Sequence, residues 1–199
     1  MDAQISADPQ AFLHIRMVLS MITSLAVARL LTGAARFVQH PGRDAVYPLH
    51  LAWVAFFLIA VMRFWWFEYA LTTIGTLTFF RYAFVSFFAA LHFLLATLLF
   101  PDDIKEYEGF RGYFEARRSW FFALLAVFFA IDAADTWLKG ASYIALTSPG
   151  FPLVQLALVA GAVVTIFVAN RAWNVAFVIL ATAAQFLWIA RLQLPVSLH

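Results

Sequence analysis

Cysteine is absent from the 199 residues, which removes disulfides, thiolate metal sites, a cysteine nucleophile and cysteine-held clusters, and leaves no mark of a redox compartment. Charge is scarce: Asp, Glu, Lys and Arg make up 12% of the chain, about half the share of an ordinary soluble domain. The formal net charge of +2 comes without a basic stripe interleaved with exposed aromatics, so nucleic acid is not expected as a partner. No Gly-x-Ser-x-Gly elbow, phosphate-binding glycine loop or His-Glu-x-x-His helix occurs, and enzymes of those classes are set aside. Nothing in the residues points positively to catalysis or to a metal. The lysines are only Lys105 and Lys139; neither is expected inside the bundle, which excludes a retinal Schiff base there. Residues 1–12 carry two acids and no Lys or Arg. They lack the basic start of a secretory signal, and the first hydrophobic segment is expected to remain as structure.

What is abundant is apolar side chain, at 64% of residues. A soluble domain of this size still exposes roughly 30% of its unfolded-chain surface, too much to leave so apolar a chain in water. Lipid must cover it, and the expected fold is all-α: a polytopic membrane helix bundle with short loops. A span needs about 20 mostly apolar residues whose backbone is satisfied within the segment. Six segments meet this pattern, at 9–38, 48–71, 76–100, 119–139, 151–169 and 172–194. Asp8 and Pro9 suit the start of the first, and His40, Pro41 and Gly42 its end. Thr72, Thr73 and Gly75 suit a turn after the second, and Pro101 stops the third. Gly140 suits a left-handed cap on the fourth. Ser148, Pro149, Gly150 and Pro152 introduce the fifth, and Asn170 and Arg171 leave room only for a tight hairpin before the sixth. The polar stretch 101–118 reads as a surface loop.

Loops one, three and five carry Arg36, Arg43, Lys105, Arg111, Arg117, Arg118 and Arg171, and the opposite side mainly Lys139 and Arg191. The first side is expected to be cytoplasmic, with both termini periplasmic in a bacterial inner membrane. The lack of an Asn-x-Ser/Thr sequon fits that source. Pro41-Gly42 with Pro48-Leu49 echoes Pro149-Gly150 with Pro152-Leu153, as two inverted three-helix halves would.

Charges in hydrocarbon cost on the order of 2.5–3.5 kcal/mol each, so each needs a partner or a task. The charges within spans are Arg16, Arg29, Arg63, Glu68, Arg81, Asp132 and Asp135; all of these but Arg29 are placed toward the outer leaflet. Asp132 and Asp135 are three apart and share a helical face. Asp132 is expected to pair with Arg63 or Arg81 in an outward-opening polar pocket. The plainer alternative makes Asp135 and Lys139 an interfacial i,i+4 pair and lets Arg16, Arg81 and Glu68 snorkel to water.

His50 opens the second segment, and His92 lies in the third, toward the same cytoplasmic side. Facing histidines could ligate haem, but their spacing gives that no support. Ser20, Thr23 and Ser24, and Asn174, Thr182 and Gln185, form two polar stripes of the kind that joins helices. The aromatics, 18% of the chain, read as interfacial belt and lipid-facing bulk, with Trp65 and Trp66 at the outer interface and Trp120 and Trp173 at the inner one.

Through Arg63-Phe64-Trp65-Trp66-Phe67-Glu68, Phe100-Pro101-Asp102-Asp103 and Arg117-Arg118-Ser119-Trp120-Phe121-Phe122, the chain resembles a group of uncharacterised bacterial six-helix integral membrane proteins. The resemblance implies the helix count and a bacterial source. It implies no activity, cofactor or site residue.

The leading functional expectation is a small channel or transporter for an ion or small polar solute, working as a homo-oligomer in the lipid bilayer. Its charge cluster would line or gate the path. A second is a non-catalytic subunit or scaffold that docks a protein partner through 101–118, where Tyr107, Phe110, Tyr113 and Phe114 mix with both charge signs. A third is a membrane redox or lipid-modifying enzyme.

Overall fold

The computed structural model describes residues 5–6, 9–40, 45–68, 76–140, 143–144 and 150–193. Six helices dominate them: α1 Pro9–Gln39, α2 Pro48–Phe67, α3 Phe79–Leu99, α4 Gly109–Leu138, α5 Phe151–Phe167 and α6 Arg171–Gln193. Two short strands, β1 Ile5–Ser6 and β2 Thr76–Leu77, pair antiparallel. Five of the helices are long and apolar enough to cross a membrane. α5, with 17 residues, sits at the lower limit of a span. The chain is a helical, multi-pass membrane protein.

Local chemistry explains most of the helix ends. Pro48 stands in the first turn of α2, where its missing N–H costs nothing. The Thr78 hydroxyl accepts from the Arg81 amide and caps α3, which therefore starts at Phe79 and not at Thr76; Thr76 and Leu77 are spent on the strand pair. Phe100 is extended (φ −127°, ψ 94°), as the following proline demands. Gly140 takes φ +93° after α4, the left-handed closure expected of it. Asn170 Oδ1 accepts from the amides of Ala172 and Trp173 (2.8 and 3.3 Å) and caps α6. The expectations on Asp8, Pro41, Gly42, Arg43, Leu71, Thr72, Thr73, Gly75, Ser148, Pro149 and Leu194 lie outside the described residues, and with them much of the internal echo.

The stretch 101–118 needs correction. Residues 109–118 are the first turns of α4, not loop. Their charges had hidden a helical apolar stripe: Phe110, Tyr113 and Phe114 are buried, while Arg111, Glu115 and Arg117 face outward. Arg111 and Glu115 form an i,i+4 pair at 2.9 Å. Three of the four aromatics proposed as a docking surface therefore face inward.

α2 is the central helix, touching α1, α3, α4 and α6, while α4 lies along α5 and α1 along α3. The interior is aromatic, contrary to the expected belt and lipid-facing bulk. Trp53, Phe56 and Phe57 of α2 are fully buried among Phe121, Phe122, Phe128 and Phe129 of α4 and Phe177 of α6. Most of these rings meet edge to face, each pair contributing about 0.5–1.5 kcal/mol beyond area burial. In lipid, where apolar burial drives little, such packing is what holds helices together. Trp65, Trp66, Trp120 and Trp173 do face outward.

Candidate functional site

The last turns of α2 and α4 and the first turns of α5 meet at one end of the bundle. On α4 the positions 132, 135 and 139 recur at helical spacing and point Asp132, Asp135 and Lys139 inward. α2 supplies Arg63 and, just past its last residue, Glu68. All five are at most 9% exposed.

Two linked ionic groups result. Arg63 Nη2 donates to both oxygens of Asp132 (2.9 and 3.0 Å), and Gln155 Nε2 of α5 donates to Asp132 Oδ2 (2.8 Å). Beside them, Lys139 Nζ donates to Glu68 Oε1 (2.8 Å) and Asp135 Oδ2 (2.5 Å), with the Tyr143 ring 5.4 Å away. Thr136 donates its hydroxyl to the Asp132 carbonyl (3.1 Å). Three acids thus face two bases, so the fully ionised cluster carries −1. Glu68 Oε2 is buried with no hydrogen-bond partner among the described residues. A buried carboxylate without compensation is costly, and taking up one proton would make the cluster neutral.

Of the expected residues, Arg63 and Asp132 come together, and so do Asp135 and Lys139. Glu68 lies with the charge cluster and not in water, as the alternative had it: it is 6% exposed and tied to Lys139. Lys139, expected outside the bundle, has a side chain only 3% exposed; it lies one residue past α4, but its two carboxylate partners draw it inward. A lysine therefore does lie inside the bundle. Arg81 stays in the first turn of α3, half-buried, and Arg63 takes the place next to Asp132. Arg16 lies 4.9 Å over the Trp65 ring, a cation–π contact at the same end of the bundle. Arg29 belongs to the opposite end, donating to Asp102 (2.6 Å) and to the Phe100 carbonyl (2.5 Å).

The histidines do not face each other. His50 Nε2 meets the Leu99 carbonyl at 2.6 Å among Phe100, Phe110 and Phe114. His92 Nδ1 meets the Phe88 carbonyl at 2.8 Å, ringed by Phe64, Phe88 and Phe128. His92 contacts Phe64, the neighbour of Arg63, and so sits near the ionic cluster and not toward the His50 end. About 14 residues of α2, roughly 21 Å of rise, separate those two levels. No group of three or more His, Asp or Glu that could hold a metal ion occurs among the described residues.

Gln155 was missed in the sequence, where a single amide in an apolar run gives little signal. Gln185 and Ser20 do join helices: Gln185 Nε2 donates to the Phe56 carbonyl (3.3 Å), and the Trp65 indole donates to Ser20 (3.0 Å).

No protein-family model, curated protein or solved structure matches the chain. Its class therefore comes from the fold: a multi-pass helical membrane protein with a buried ionic network at one end.

Proposed function

We propose that this protein moves an ion across its membrane, and that the Arg63–Asp132 and Glu68–Lys139–Asp135 network binds the moving charge. The observation that carries the reading is the odd charge count of the buried cluster together with Glu68 Oε2, which has no hydrogen-bond partner among the described residues. A structural network would be expected to balance, whereas a site that gains and loses one positive charge alternates between −1 and 0. The cavity beside Arg63 and Asp132 measures about 20 Å³, little more than one water molecule needs, so a proton is the favoured cargo. His92 lies within electrostatic range of Arg63 and Asp132, with Nε2 unpartnered among the described residues.

The remaining parts of the proposal rest on sequence. The Lys and Arg distribution supports placing the 101–108 side in the cytoplasm of a bacterial cell, with the cluster toward the outer leaflet. A homo-oligomer is proposed because six helices leave little room for a wide path. A partner-docking role would have to use the exposed charges of 101–118, since Phe110, Tyr113 and Phe114 are buried.

The test is flux in liposomes carrying an internal pH-sensitive dye under imposed proton and potassium gradients. Wild-type protein should dissipate the proton gradient faster than empty liposomes. Glu68→Gln and Asp132→Asn should slow this while still inserting. Wild-type flux equal to that of empty liposomes for every ion tried would refute the proposal.

A further inference from the structure

A small cavity lies between α2, α4, α5 and α6, lined by Arg63, Asp132, Gln155 and Gln185 on its polar side and by Phe56 and Trp188 among the apolar residues. Trp188 stacks on Phe151 with ring centroids 4.0 Å apart. Three lining residues each carry one buried polar atom with no hydrogen-bond partner among the described residues: Arg63 Nε, Gln155 Oε1 and Gln185 Oε1.

The orientations of both amides are set by their other contacts. Gln155 faces the Asp132 carboxylate at 2.8 Å, and only its NH2 can do so, because an amide oxygen there would meet another acceptor. Gln185 faces the Phe56 carbonyl at 3.3 Å, and the same logic applies. Both amide oxygens are left over as acceptors, while Arg63 Nε–H is left over as a donor.

One donor and two acceptors define the chemistry of the occupant. A bare anion would face two carbonyl-type oxygens, and a metal cation would face a guanidinium N–H. A group that accepts one hydrogen bond and donates two suits all three atoms. The volume, about 20 Å³, exceeds the roughly 10–15 Å³ that one water needs and falls short of twice the upper figure. We infer that this cavity is a binding site for a single water molecule, which accepts from Arg63 Nε–H and donates to Gln155 Oε1 and Gln185 Oε1. The water connects the ion pair at the α2–α4 contact to α6, which otherwise reaches this region through Gln185 and the Phe56 carbonyl.

The inference stands apart from the ion-movement reading, and its test is structural. A density map of the wild-type protein in lipid nanodiscs, at a resolution that shows ordered water, should contain one peak about 2.7–3.2 Å from each of the three atoms. Gln185→Leu should abolish the peak while the Arg63–Asp132 contact remains; Gln185→Met serves if the leucine variant does not fold, and the wild-type map is decisive if neither does. A wild-type cavity without a peak, a lipid or detergent tail in its place, or a peak unchanged in the Gln185 variant would overturn the inference. Proton flux measured in liposomes bears on the other reading alone.

Discussion

Breaking the Arg63–Asp132 pair from either side should cost more than removing both of its charges together. Asp132→Asn nearly preserves shape but leaves the Arg63 guanidinium, 9% exposed, without its counter-charge. Stripping one partner from a buried pair costs about 3–5 kcal/mol. Arg63→Met strands the carboxylate instead, with only the Gln155 amide at 2.8 Å to support it, and should cost a comparable amount. Arg63→Met combined with Asp132→Leu removes both charges. It leaves one amide donor unpaired, at about 1–3 kcal/mol, and should be more stable at neutral pH than the two single costs added together predict, by about 2 kcal/mol or more. Equilibrium unfolding in bicelles by steric trapping measures all four proteins. The exposed Arg111–Glu115 pair, with side chains 65% and 53% exposed, is the control and should show no resolvable coupling. Additive single variants would refute the reasoning.

Other expectations follow from the same structure. Lys139→Met leaves Glu68 and Asp135 facing each other without a cation, so folded yield should fall well below that of Glu68→Gln; size-exclusion profiles of the two variants check this. A Cβ on Gly33 would overlap the Phe100 ring, so Gly33→Ala should destabilise by about 1–3 kcal/mol and Phe100→Ala in the same chain should recover part of the loss, read by the same unfolding assay. Arg118 Nη1 donates to the carbonyls of Thr165 and Val168 (2.6 and 2.8 Å) at the C-terminal end of α5, where a cation is favourable. Arg118→Ala should therefore speed amide hydrogen exchange around Val168, measured by mass spectrometry. Since the chain has no native cysteine, single cysteines at Lys105 and Trp137 can be labelled with impermeant reagent; they should react from opposite faces of the membrane, Lys105 from the cytoplasmic one.

What could be read from the sequence was whatever a local rule decides. Pro48, Pro101 and Gly140 mark helix ends because their backbones allow little else. The Arg63–Asp132 pair was readable because two opposite charges at one height in hydrocarbon must find each other. The burial of Glu68 and Lys139 was not, because a charge near a helix end can reach for water or turn inward, and only the tertiary partner decides. α4 began ten residues before its expected start because charge density at Arg111, Glu115 and Arg117 masked the spacing of Phe110, Tyr113 and Phe114. The aromatic core stayed hidden for a different reason: a phenylalanine that faces lipid and one that faces another helix have the same composition.

The placement of Gln155 and Gln185 on α5 and α6, after α2 and α4 in the chain, bears on how the protein is made. Ribosomes deliver α2 and α4 first, so Arg63 and Asp132 can pair while the last third of the chain is still being synthesised. Asp132 gains its amide donor only when α5 arrives, and Arg118 can clamp the end of that helix only then. A nascent chain stalled before residue 150 would hold an incomplete polar seam open to the bilayer, with Asp132 lacking the Gln155 amide and Arg118 lacking the carbonyls of Thr165 and Val168.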